Sequence, residues 1–176
     1  MMKIYKILSV LLQYPEQELI DNLPEISEWV NDTADIDKQE RSMLQGYLKQ
    51  MEDTPLIDLQ AEYVNTFDMV PEHSLHLTHH LFGDDKNRGP ALIDLGELYK
   101  DYGVEVSESA NELPDYLPLI LEFAAYLDSS ESTVFLADAK KVFGVLMDNL
   151  KKAASPYADL ISIIAGRASL TRIEAA

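Results

Sequence analysis

Apolar residues recur at three- and four-residue spacing along most of the chain, which predicts α-helices. The first such stripe comprises Ile4, Ile7, Leu8, Leu11 and Leu12. Further stripes predict helices over about 15–30, 38–50, 55–67, 90–102, 114–127, 132–152 and 155–170. Strand-like alternation bounded by turns is scarce. The pattern predicts an all-α protein.

Prolines and glycines set the expected ends of these helices. Pro24 should bend or split the helix that starts at Pro15, because proline lacks the N–H that an interior turn needs. Pro55 and Pro156 fit the first helical position. Gly103 fits the position just after a helix end. The sequence thus predicts one compact domain of seven or eight helices over residues 1–176.

The periodicity weakens between Asp68 and Gly89, where Pro71, Gly83 and Gly89 interrupt the chain. We expect a loop with one short helix here. Long loops in compact domains are more often functional than neutral.

The charge of the chain restricts its partners. Fourteen basic and thirty-one acidic residues give a net charge of −17, which repels nucleic acid and anionic membrane surfaces and attracts cationic partners. Eight acids and no base lie between Lys6 and Lys38, and nine acids and no base lie between Lys100 and Lys140. These runs are either solvated helix faces or an acidic docking surface.

The chain contains no cysteine, which fits a reducing compartment and excludes disulfides and thiolate metal ligands. The N-terminal apolar run lacks a small-residue cleavage site, so we expect an amphipathic helix there and not a signal peptide. The apolar stretch at 117–127 is interrupted by Glu122 and is too short to cross a bilayer. We expect no insertion into a membrane.

All four histidines lie within residues 73–80, close to Asp84 and Asp85. A zinc-peptidase H-E-x-x-H motif is absent because Leu77 follows His76. The Glu-x-x-His pairs of a di-iron bundle are absent as well. A histidine site assisted by one of the aspartates remains an alternative to histidines that hydrogen-bond within the fold or line a surface. We expect neither a resident metal nor a cofactor.

Phosphate-binding glycine loops and the G-x-S-x-G motif are also absent, so the sequence does not favour an enzyme. Instead, polar residues gather at 63–89 and 111–116, each beside a strongly apolar helix. A groove with apolar walls and a polar rim is typical of a peptide site.

Three stretches resemble a known family: YVNTFDM at 63–69, LHLTHHLFGDDKNRGPAL at 75–92 and NELPDYLPLILEF at 111–123. In order and spacing they are similar to the assembly chaperones of respiratory nitrate reductase, the NarJ or delta-subunit group within the TorD/DmsD-like chaperones of molybdoenzymes. The resemblance implies a helical, cytoplasmic chaperone that is not an enzyme.

Such a chaperone would bind the N-terminal segment of the apo catalytic (alpha) subunit until the molybdenum cofactor is inserted and the enzyme is assembled at the membrane. Proteins that deliver the cofactor are a further implied partner. Two alternatives remain: a sibling chaperone for another molybdoenzyme, and a metal-dependent helical enzyme built on the histidines.

The resemblance also implies a client-peptide site. Its expected residues are Tyr63, Phe67, Asp68, His76, His79, His80, Phe82, Gly83, Asp84, Arg88, Gly89, Glu112, Pro114, Asp115, Tyr116 and Leu117. Pro114 would start a helix with Glu112 and Asp115 at its N-terminus, where the helix dipole favours carboxylates. Tyr116 and Leu117 would face the groove. Position 116 holds tyrosine where many relatives carry histidine, so an imidazole role there does not transfer.

Arg88 has a purely structural alternative, a salt bridge to Asp84, Asp85 or Asp115 that would hold the loop.

Overall fold

A computed structural model describes residues 2–169, and this part of the chain is all-α, as predicted. Its helices are α1 (Lys3–Leu11), α2 (Gln17–Asp21), α3 (Leu23–Asp32), α4 (Lys38–Glu52), α5 (Leu56–Tyr63), α6 (Leu77–Phe82), α7 (Arg88–Asp101), α8 (Leu117–Tyr126), α9 (Ser129–Ala137), α10 (Lys140–Lys152) and α11 (Tyr157–Arg167). A π-helical turn follows α5 at Val64–Asp68, and 3₁₀ turns lie at Pro71–His73 and Glu108–Ala110.

The described residues form more helices than the seven or eight predicted, because two predicted segments are divided and the short helix expected between Asp68 and Gly89 is a separate element, α6. The split near Pro24 is confirmed, with this proline in the first turn of α3. The segment predicted as one helix over 132–152 is two helices, α9 and α10. Asp128 and Glu131 form a capping box that starts α9 at Ser129. Neither proline nor glycine marks the break at Ala139.

Several predicted boundaries were wrong by a few residues. Pro55 and Pro156 each precede the first helical residue instead of occupying it. α7 starts at Arg88, two residues before Pro90. Gly103 has φ +76° just after α7, as predicted for a residue that follows a helix end.

The predicted end of the last helix at Leu170 lies outside the described residues. So do residue 1 and residues 171–176, and the single-domain assignment over 1–176 stays a prediction.

The main core forms where α1 packs along α8 and α10 packs along α11. Ile4, Leu8 and Leu11 of α1 are buried here. α3 packs against α4, and α4 in turn contacts α11. A smaller apolar cluster of Tyr99, Phe123 and Leu127 joins α7 to α8. Within residues 2–169, no helix is long and apolar enough to cross a membrane.

Arg167 at the end of α11 is fully buried and forms an ion pair with Glu40 of α4. Its Nε lies 2.9 Å from Glu40 Oε1 and its Nη2 lies 2.6 Å from Oε2, and Nη2 also donates to the carbonyl of Asp35 at 2.7 Å. Burial alone lowers the pKa of Arg167, but hydrogen bonding and Coulomb attraction to Glu40 outweigh it and raise the pKa. The guanidinium therefore stays charged and links α11 to α4.

Replacement of Arg167 by methionine should destabilise the fold strongly, because the buried Glu40 carboxylate loses its cationic partner. A loss of about 3–5 kcal/mol in the free energy of unfolding is expected for a broken buried pair. Urea denaturation measures it, with Lys152→Met on the exposed end of α10 as the matched control. Equal stability of the two variants would contradict the role given to the pair.

Candidate functional site

Two of the three motif stretches meet at a short antiparallel bridge between His76 and Tyr116. The N–H of Leu77 donates to the carbonyl of Asp115 at 3.2 Å, and the N–H of Leu117 donates to the carbonyl of Leu75 at 2.8 Å. We call this contact the motif junction. It fixes the start of α6 against the start of α8.

The carboxylate of Asp115 is completely buried at the motif junction. Its Oδ2 accepts hydrogen bonds from the backbone N–H of Thr78 at 2.9 Å and from the Thr78 hydroxyl at 2.5 Å. Thr78 lies in the first turn of α6, where N–H groups have no partner within the helix. Asp115 thus caps α6 from a distant part of the chain.

This contact corrects two predictions. Asp115 was expected to stabilise the start of its own helix, but its carboxylate bonds to α6. Pro114 does not start a helix, because the chain turns from Leu113 to Tyr116 and α8 begins at Leu117. The carbonyl of Pro114 instead accepts a hydrogen bond from the Tyr99 hydroxyl at 2.7 Å, which attaches α7 to the motif junction.

Arg88 supports the same contact without a salt bridge. Its Nε donates to the Thr78 hydroxyl at 2.9 Å, and that hydroxyl donates to Asp115. Asp84 and Asp85 are exposed, and Asp85 accepts from the backbone N–H of Asn87. The alternative of a salt bridge from Arg88 to a nearby aspartate is therefore wrong.

The first motif stretch reaches the junction through two phenols. The hydroxyl groups of Tyr63 and Tyr116 lie 2.7 Å apart, and the Tyr63 hydroxyl donates to the carbonyl of Leu12 in the turn after α1. Burial raises the pKa of both phenols, so both stay protonated near neutral pH. Phe67 packs on Tyr63 with ring centroids 4.9 Å apart. All three motif stretches thus meet around Tyr116.

The histidines point to different partners. The buried ring of His73 lies between the backbone carbonyls of Thr66 and Asn149. Nε2 of His80 lies 2.7 Å from the backbone carbonyl of Ser74. His76 lies 2.9 Å from a carboxylate oxygen of Glu112 and stacks on Tyr116. His79 contacts the ring of His80. Among residues 2–169, no group of three or more histidine or acidic side chains is arranged to hold a metal ion.

The predicted site residues divide by burial. Four of them are each exposed by 8% or less, namely Tyr63, Phe67, Asp115 and Leu117. These side chains support the surface residues and are not themselves accessible to a partner. The expectation that Leu117 faces a groove is wrong, since it is fully buried against the core. The exposed and half-buried members of the set are Asp68, His76, His79, His80, Phe82, Gly83, Asp84, Arg88, Gly89, Glu112, Pro114 and Tyr116.

A groove with a volume of about 510 Å³ lies between α1, α2, α3 and the segment 110–116. It is lined by Lys6, Val10, Gln13, Tyr14, Glu16, Glu18, Leu19, Asn22, Glu25, Ile26, Trp29, Ala110, Glu112 and Tyr116. Of the predicted residues, only Glu112 and Tyr116 line it. This groove differs from the predicted one, because its walls are α1 to α3 and residues 110–116 and no residue of the 63–89 stretch lines it.

Apolar side chains form the walls of this groove, with Val10, Leu19 and Trp29 among them. Glu16, Glu18, Glu25 and Glu112 supply four carboxylates. The one lysine or arginine in the lining is Lys6, which is paired with Glu122 at 2.9 Å. The acidic run between Lys6 and Lys38 is the feature of the sequence that indicates this wall. The sequence alone does not show that this run faces residues 110–116.

Comparison with known proteins agrees with the resemblance of the three stretches. A family model described as "Nitrate reductase delta subunit" matches residues 32–162. The chain is 32% identical over 158 residues to the nitrate reductase molybdenum cofactor assembly chaperone NarJ of Escherichia coli K12, covering 90% of this chain and 66% of that protein.

Two further relatives carry similar names. The probable chaperone NarW of Escherichia coli K12 is 30% identical, with 89% of this chain and 64% of NarW covered. The probable chaperone NarJ of Bacillus subtilis 168 is 29% identical, with 91% and 85% covered. The chain thus spans slightly less than two thirds of the length of the Escherichia coli relatives. All three relatives are named as assembly chaperones and none as an enzyme.

Replacement of Asp115 by alanine should destabilise the protein and loosen α6. The Thr78 N–H and hydroxyl would lose a charged acceptor in a buried position, at a cost of about 1.5–3 kcal/mol. Urea denaturation gives the loss, and hydrogen exchange should speed up in α6 before other helices. Asp84→Ala, at an exposed position near the end of α6, is the control. Unchanged exchange in α6 would rule out the capping role.

Proposed function

The chain belongs to the nitrate reductase delta subunit family, and from this membership we propose that it is a molybdenum cofactor assembly chaperone for a respiratory nitrate reductase. It binds the N-terminal segment of the apo catalytic subunit and holds that subunit in the cytoplasm until the cofactor is inserted and the enzyme assembles at the membrane. Proteins that deliver the cofactor would then meet the held subunit.

The observation that carries the proposal is the groove between α1, α2, α3 and residues 110–116. Its apolar walls suit the apolar face of an amphipathic helix, a common mode of peptide recognition. Its four glutamates suit basic residues on the same segment. The rest of the chain adds to this attraction, because the net charge of −17 draws cationic segments from a distance.

A chaperone of this kind needs only to bind the client segment and release it. Burial of apolar side chains from the client against Val10, Leu19 and Trp29 would supply most of the affinity. The rim glutamates would speed encounter and set the direction of the segment, and they make the complex sensitive to salt. The client, and not the chaperone, would hold the molybdenum cofactor.

A peptide from the N-terminus of a nitrate reductase catalytic subunit should change the fluorescence of Trp29. This residue is the single tryptophan of the chain and lines the groove, so its signal reports groove occupancy. Titration should give a dissociation constant that rises with salt, since the Debye length falls from about 10 Å at 0.1 M to about 3 Å at 1 M.

The control is the N-terminal peptide of a different molybdoenzyme. Equal affinity for both peptides would indicate a sibling chaperone with another client. No fluorescence change and no heat of binding with either peptide would refute the proposal.

Replacing Glu16, Glu18 and Glu25 together by glutamine should slow association of the same peptide by about tenfold or more at low salt, because electrostatic steering is lost. Stopped-flow fluorescence of Trp29 measures the rate. The control replaces Asp58, Asp94 and Asp148, which are exposed and outside the groove lining. If both triple variants slow association equally, the overall charge matters and the groove does not.

A further inference from the structure

A second apolar surface lies beside the groove and is centred on Phe123 of α8. Two clefts of about 200 and 300 Å³ share this phenylalanine in their linings. The surface consists of Tyr102, Val104, Val106, Phe123, Tyr126 and Val134, and we call it the aromatic surface. It is built from the end of α7, the segment that follows it, α8 and α9.

The aromatic surface exposes large apolar side chains on a firm base. Tyr126 is 63% exposed, Val134 is 53% exposed and Tyr102 is 47% exposed. Beneath them Phe123 is buried, with its ring centroid 4.8 Å from that of Tyr99 and 5.0 Å from that of Phe135. Contiguous apolar area of this kind on a folded domain commonly marks an interaction site.

The aromatic surface is continuous with the groove. A shallow depression lined by Val106, Glu108 and Glu112 connects them, since Glu112 also lines the groove and Val106 also lines a cleft of the aromatic surface. The ion pair of Lys6 with Glu122 spans the same boundary, because Lys6 lines the groove and Glu122 lines that cleft. One extended segment can therefore contact both.

The charges in the two clefts and the depression are all negative, and the one cation on the path is Lys6, which is paired with Glu122 at the edge of the groove. Glu105, Glu122 and Glu131 border the two clefts, and Glu108 and Glu112 lie in the connecting depression. No lysine or arginine occurs between Lys100 and Lys140, and the clefts and the depression have no basic side chain in their linings. An occupant should carry basic residues next to apolar ones.

We propose that the aromatic surface binds the stretch of the client polypeptide that directly follows the segment held in the groove. This inference rests on the proposed function and extends its binding site. The client stretch would place apolar side chains in the clefts beside Phe123 and basic side chains near Glu105 and Glu131. The groove and the aromatic surface would then act together on one chain.

Two peptides from the N-terminus of the nitrate reductase catalytic subunit test the proposal. The short peptide has about 20 residues, which as a helix spans about 30 Å, and the long one has about 40 residues. Once one part of the long peptide is bound, the other part is held at a high effective concentration near its own site, which raises the overall affinity. The long peptide should therefore bind at least about tenfold more tightly than the short one in calorimetry.

The variant Tyr126→Ser with Val134→Ser should remove this gain and leave the affinity for the short peptide unchanged. Both positions are exposed, so the fold should persist, and thermal unfolding checks this. The control is Ile57→Ser, an equally apolar position that is 74% exposed on α5 and outside the linings of the groove and both clefts. The control should keep the gain in full.

The outcomes separate this inference from the proposed function. If the short peptide binds and the long peptide binds no more tightly, or if the double serine variant keeps the gain, the aromatic surface does not hold the client. If neither peptide binds, both proposals fail. If the short peptide fails but the long one binds through the aromatic surface, the groove assignment fails alone. Light scattering that shows a dimer dissociated by the double serine variant would assign the surface to a second copy and overturn the inference.

Discussion

The buried contact between Asp115 and Thr78 holds the start of α6 against the segment that leads into α8. One carboxylate oxygen accepts two hydrogen bonds from the first turn of α6, while its own backbone pairs with Leu77. Because a buried carboxylate is costly without partners, this geometry tolerates little change. Arg88 and Tyr99 attach to the same contact, so the position of α7 also depends on it.

A second constraint comes from the excess of acids. Among the glutamates of residues 2–169, Glu40 is the one that the fold buries, and the buried Arg167 neutralises it, at 2.6 Å for the closest pair of atoms. Many other carboxylates lie at the surface, including the four that line the groove. The negative field of these carboxylates can therefore attract a cationic partner, since few basic side chains on the surface are positioned to cancel it.

Tyr116 connects the motif junction to the groove. Its hydroxyl bonds to Tyr63 below, its ring stacks on His76 at the side, and it forms part of the groove lining. The motif stretches that carry the family resemblance thus act mainly by fixing this one side of the groove. The opposite wall comes from α1 to α3, and all of its lining residues precede residue 32, where the match to the family model begins.

The sequence by itself determined the helical class, most helix positions, the role of Gly103 just after α7 and the acidic character of the surface, because these depend on local periodicity, capping residues and composition. Only the tertiary structure decided that Asp115 caps α6, that Leu117 is buried, that Arg167 meets Glu40 and that α1 to α3 form a groove wall. These contacts join residues far apart in the chain. Local patterns carry no information about such pairings, since many acids and apolar residues would have fitted them equally well.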